Sequence, residues 1–176
     1  MTERKTIHRW WWAWNFDREE QWLNEMAMDG WALYDVGFCV YRFEKSKPSE
    51  YTIRLEMHRH DSAYLEFMEE TGAEYIGRCA QWMFFRKKSS LGQFDIFSDI
   101  DSRIRHLNNI INLFRFIAIA CIFVGLTNIY IGIVPPSRFN IWGGTSNLLM
   151  ACLVLYGMGR IHGKKDFLEK ERLLHE

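Results

Sequence analysis

The sequence predicts an α+β domain of ferredoxin-like type, a duplicated antiparallel sheet with two helices on one face, followed by a two-span transmembrane hairpin. Two observations carry this reading. Charge nearly vanishes between Leu113 and Gly159, and a helix-plus-strands pattern recurs at a spacing of 42 residues. These divide the chain into an aromatic-rich domain at 1–99, a juxtamembrane helix at 100–112, spans at 113–134 and 139–159, and an amphipathic tail at 160–176.

Whole-chain averages hide that division. The 176 residues balance 22 Lys and Arg against 22 Asp and Glu, and mean hydropathy is slightly negative. Zero net charge leaves no cationic surplus for nucleic acid, which binds by exchanging condensed counterions for Lys and Arg. The four cysteines, Cys39, Cys79, Cys121 and Cys152, form no CxxC pair. They read as reduced thiols used as small apolar side chains.

Element by element, the first domain opens with a strand over 8–14, on which Trp10, Trp12 and Trp14 alternate onto one face. A helix over 18–28 follows, with Asp17 as N-cap and Glu20 closing a capping box. Its apolar face is Trp22, Leu23, Met26 and Ala27, and Gly30 ends it. Strands are expected at 31–36, 39–44 and 51–57, with Lys47-Pro48-Ser49 as a turn. A second helix over 62–70, capped by Asp61 or Ser62 and ended by Gly72, leads to strands at 74–79 and 81–86. Shifting the chain by 42 residues lays Leu23 on Leu65, Met26 on Met68, Gly30 on Gly72 and Phe43 on Phe85. A repeated unit of this kind argues for two copies of one supersecondary motif.

In the last third, Arg115 and Arg138 are the only charges between Leu113 and Gly159. A helix needs about 20 apolar residues to cross a bilayer, and Pro135 and Pro136 end the first run. Cations flank the pair on one side (Arg103, Arg105, Arg115, Arg160, Lys164, Lys165), against Arg138 alone in the loop. Cations concentrate on the cytoplasmic side, so both termini are expected there, in a multi-pass protein of the cell membrane. Ala118, Gly125 and Gly132, matched by Gly144 and Ala151, form a seam of small residues for helix packing, within the hairpin or between copies in a homo-oligomer. Neither span holds an acid, a His or a Lys, which argues against transport. The tail is expected to lie on the membrane surface or against the cytosolic domain.

The stretch Glu20-Gln-Trp-Leu-Asn-Glu-Met-Ala27 is joined by Gly30-Trp31-x-Leu33, Tyr41-x-Phe43, Glu50-Tyr51-x-x-Arg54 and Phe84-Phe85-Arg86-Lys87. Together these resemble the bacterial domain-of-unknown-function family numbered 2812, over about 8–99. The resemblance implies a Gram-positive setting, C-terminal spans and a gene neighbour of the PadR regulator type. It implies no activity and no catalytic residues.

Chemistry is sparse. No GxSxG, P-loop or GxGxxG occurs. Glu56, His58 and His60 alternate on a strand and have the ligand types for a zinc-like cation, the basis of an alternative reading as a metal-dependent enzyme. The aromatic excess is the larger signal. Trp10, Trp12, Trp14, Trp22, Trp31 and Trp82 serve either as core or as an aromatic-lined groove for a partner. The expected function is a membrane-anchored binding or regulatory module, not an enzyme and without cofactor. It would hold a protein partner, such as a transcriptional regulator, or a small ligand at the cytosolic face. The remaining alternative is a small structural subunit of a membrane complex.

Overall fold

The computed structural model describes residues 3–58, 61–97 and 99–175. The chain forms two compact units, Met1–Ser98 and Asp99–Glu176.

The first unit runs β1 (Arg4–His8), a 3-10 turn (Ala13–Asn15), α1 (Phe16–Met28), β2 (Trp31–Gly37), β3 (Val40–Lys45), β4 (Tyr51–Met57), α2 (Ser62–Glu70), β5 (Ala73–Cys79) and β6 (Trp82–Lys88). It is two strand–helix–strand–strand halves. Each makes a three-stranded antiparallel sheet, ordered β1-β3-β2 and β4-β6-β5. The 42-residue spacing extends to the irregularities. Both sheets carry a bulge, between Leu33 and Asp35 and between Tyr75 and Gly77. Both helices end on a glycine with left-handed φ, +78° at Gly30 and +84° at Gly72, where a side chain would be strained.

The α+β class and the duplication stand. The expected single sheet with both helices on one face resolves into two sheets with one hydrophobic cluster per helix. Phe84 joins the cluster of α1, with Leu23, Leu33, Tyr41, Phe43, Ile53 and Leu55. Its neighbours Met83 and Phe85 point to the other face and join Met68, Ala73 and Phe94 on the α2 side. Sheet β4-β6-β5 is therefore covered on both faces. Sheet β1-β3-β2 turns Tyr41 and Phe43 to α1 and leaves Arg42 exposed on the other side. The two sheets touch along β2 and β5, where Val36 Cγ1 would lie 3.1 Å from a Cβ placed on Gly77. Arg86 ties them, donating to the Leu33 carbonyl and to Glu44 in one sheet and to Glu74 in the other.

Two local readings are corrected. No strand covers 8–14: the strand is β1, and after it the tryptophans run irregularly into the 3-10 turn. The Asp17 capping box does not form, because α1 starts at Phe16 with Asn15 at its N-cap and no side-chain cap bond. Glu20 instead reaches β4, accepting from the Leu55 amide at 2.9 Å and pairing with Arg54 at 3.1 Å. Asn24, one turn on, accepts from the Ile53 amide and donates to its carbonyl, both at 2.9 Å. These two side chains occupy backbone groups on the free edge of β4, an edge that would otherwise be open to another strand. Asp61 does cap α2, accepting from the Ala63 amide.

The second unit is a helical hairpin of α3 (Ile100–Ile133) and α4 (Arg138–His175). Asp99 and Ser102 form a capping box at the start of α3. The juxtamembrane stretch and the first span are one helix, and the second span and the tail are another. Each exceeds 30 residues, or roughly 50 Å at 1.5 Å per residue, well beyond a bilayer core. The apolar, charge-free parts are 116–133 and 139–159, next to the turn. Both helices are long and apolar enough to cross a membrane. The register holds from end to end: Cβ atoms built on Gly132 and Gly125 would strike Ile141 and Leu148, both at 2.9 Å. At the far end Arg172 of the tail pairs with Asp101 at 3.0 Å. A Cβ on Gly144 would fall 2.7 Å from the Gly125 carbonyl oxygen, so these glycines let the backbones meet. Ala118 and Ala151 are buried.

Candidate functional site

One pole of the first unit gathers aromatic rings from four stretches of chain: 9–15, the start of α1, the β2–β3 turn and the start of β6. After β1 the chain is held by the Arg9 amide donating to the Cys39 carbonyl of the β2–β3 turn at 3.1 Å. Beyond that bond the tryptophans face different ways. Trp10 and Trp12 meet edge to face at 5.5 Å, and Trp12 stacks on Trp14 at 4.9 Å. Phe38, at the tip of the β2–β3 turn, meets Trp10 at 5.7 Å. Trp14 is buried, while Trp10, Trp12 and Phe38 remain 55%, 41% and 74% exposed. The result is a contiguous exposed aromatic patch standing on a buried indole.

Trp11 turns inward to Trp22, which meets Tyr41 edge to face at 5.1 Å. The Arg9 guanidinium lies over both indoles, 4.3 Å from the Trp11 ring centre and 4.8 Å from that of Trp22, a favourable approach to the negative ring faces. The Trp11 indole nitrogen is buried without a hydrogen-bond partner. Trp82 stacks on Phe16 at 5.0 Å.

Beneath the rings, Tyr41 donates to the Glu19 carboxylate at 2.5 Å. Burial raises Glu19 to about 7, against the opposing effect of that hydrogen bond. Burial, then the charge and hydrogen bond of Glu19, then the nearby Cys79 and Cys39 push the Tyr41 phenol up. Burial raises the Cys79 thiol too, with Glu19 and Cys39 adding to it, so Cys79 is held in its poorly nucleophilic form. The pole thus offers ring faces and one proton-binding carboxyl.

Of the six tryptophans singled out in the sequence, Trp12 contacts both Trp10 and Trp14, and Trp22 and Trp82 sit on the adjoining core. Trp31 stands apart from those ring contacts, under the ammonium groups of Lys5 and Lys45 at 4.9 and 4.5 Å. Phe38 and Glu19 were missed. Phe38 had one signal, a bulky apolar residue in a two-residue turn. Glu19 had another, a carboxyl one helical turn before Trp22 on the apolar face.

The Glu56 carboxylate accepts from the Tyr64 hydroxyl, and His58 stacks flat on the same ring at 4.0 Å. Burial raises Glu56, with Tyr64 and His58 acting the other way. His60, the third member of the expected metal cluster, lies outside the described residues. Among the described residues no group of three His, Cys, Asp or Glu is placed to hold a metal.

A family model for proteins of unknown function (DUF2812) matches residues 15–119. The chain belongs to the DUF2812 family. No curated protein and no solved structure matches it. Several residues that carried the family resemblance are clamps: Glu20 and Asn24 on β4, Arg54 on Glu20 and the Phe94 carbonyl, and Arg86 over the Tyr51 ring. DUF2812 membership brings no assigned activity, and the exposed aromatic patch begins upstream of the matched segment.

Proposed function

We propose that this DUF2812 chain is a membrane-anchored binding module, with the hairpin as its anchor and the aromatic pole as its recognition surface. One observation carries the reading: three large rings stay exposed, with Trp10 in contact with both Trp12 and Phe38, on a domain joined directly to two long apolar helices. Exposed Trp and Phe in a contiguous group are the side chains that dominate recognition energy. The cationic flanks Arg103, Arg105, Arg115, Arg160, Lys164 and Lys165 support a topology with both termini in the cytosol.

A photo-crosslinking side chain at position 38, in cells, tests the surface. It should yield a discrete adduct that the same group at exposed Met28 does not. Equal, background-level yields from both positions would remove the reading. Topology is tested separately in a chain whose native cysteines are replaced by serine. Ser137→Cys in the hairpin turn should react with an impermeant maleimide on intact cells; labelling only after lysis would reverse the orientation.

A further inference from the structure

We infer that the patch of Trp10, Trp12 and Phe38 binds the anionic surface of the membrane in which the hairpin is embedded. This rests on the membrane-anchored reading and names the partner of that pole.

Three features of the molecule support it. The first is ring chemistry. Indoles favour the headgroup zone, where the apolar ring meets acyl chain and the N–H meets water or phosphate. Two such rings and a phenylalanine at a turn tip are the composition of a surface-inserting loop. The second is charge. Of Arg4, Lys5 and Arg9, Arg9 alone adjoins the patch: its amide bonds to the Cys39 carbonyl beside Phe38, and its guanidinium rests over the Trp11 and Trp22 rings. A guanidinium beside the patch is drawn to an anionic leaflet. The third is tethering. α3 begins at Ile100, directly after the first unit, and runs as one helix into the charge-free part that starts at 116. The domain is therefore covalently tethered to the bilayer and meets its surface at a raised effective concentration. Weak insertion, insufficient for a free protein, is then enough. A protein partner would have to displace lipid from the same rings.

The test uses the full chain labelled with 5-fluorotryptophan in lipid nanodiscs that carry a nitroxide at headgroup level. Conservative Trp→Phe substitutions assign the fluorine resonances. In discs with about one-third anionic lipid, the spin label should broaden Trp10 and Trp12 as strongly as Trp142, which lies in the charge-free part of α4. Trp22 and Trp31 should stay sharp. In purely zwitterionic discs the Trp10 and Trp12 broadening should fall severalfold while that of Trp142 is unchanged. Sharp Trp10 and Trp12 beside a broadened Trp142 would overturn the inference and return the patch to a protein partner. A sharp Trp142 would instead overturn the membrane-anchored reading itself. Equal broadening in both lipids would overturn the anionic preference.

Discussion

The two halves of the N-terminal unit share one backbone plan and use it differently. Both run strand–helix–strand–strand with a bulge and a left-handed glycine at matching places. In the second half, position 84 is a fully buried phenylalanine; in the first, the matching position 42 is an exposed arginine pairing with Asp35. The first half's helix explains the difference. α1 packs on its own sheet and also on the outer face of the other sheet, whereas the cluster of α2 draws only on the second half and the segment after it. Duplication supplies a fold unit. Asymmetric packing of the copies then decides which surfaces become core and which stay free for function.

Substitutions at matched positions break or sharpen this contrast. The largest effect is expected at the 42/84 pair. Phe84→Ala opens a cavity where α1 meets the second sheet and should cost about 3–5 kcal/mol. Arg42→Ala, at an exposed site, should cost about 0.5 kcal/mol or less. Denaturant midpoints of the full chain measure both, and similar losses would mean that the halves are packed alike.

A smaller effect is expected at 24/66. Asn24→Ala strips the Ile53 amide and carbonyl of their partners and should cost about 1–3 kcal/mol. Its counterpart Glu66 is exposed, and Glu66→Ala should change stability by about 0.5 kcal/mol at most. Hydrogen exchange at the Ile53 and Leu55 amides gives a local readout. Slow exchange of Ile53 in Asn24→Ala would show that the edge is closed by something else.

The smallest effect is a slope with pH at 19/61. Glu19 is held at about 7 against 4.5 for the free group. Between those values the folded chain keeps a proton that the unfolded chain has lost. This contribution is full below about 4.5 and is lost as the pH rises to about 7. Burial raises Glu56 in the same direction, so the slope is shared. Glu19→Gln keeps an acceptor for Tyr41 and should reduce the fall in thermal midpoint between pH 5 and pH 8. Asp61→Asn, at the exposed cap of α2, should leave that fall in place. An unchanged slope in Glu19→Gln would remove Glu19 as its source.

Much of the fold was legible. β4 and α2 occupy the residues expected from Val/Ile-type alternation and from the Asp61 cap, because those signals are local. β1 was misplaced for an equally physical reason. Trp10, Trp12 and Trp14 alternate as a buried strand would, while the real edge strand Arg4–His8 has only Ile7 partly buried and so carries no pattern. Glu20 was read as half of a capping box because its spacing from Asp17 fits one; its real partners are more than 30 residues away. In the candidate site the tryptophans were visible as an excess, but their sorting into exposed and inward rings was not. That sorting depends on Phe38, Cys39 and Tyr41 arriving from the next hairpin.

By itself the sequence determined the order of the elements, the 42-residue repeat and the two uncharged helical runs. Each follows from neighbours within a few turns: caps, glycine stops, periodicity and the absence of charge. Only the tertiary structure decided that α1 serves both sheets, that Glu20 and Asn24 close the edge of β4, and that Trp10, Trp12 and Phe38 meet at the surface. Those outcomes depend on which distant segments exclude water from a side chain, and burial of that kind is a property of the packed unit.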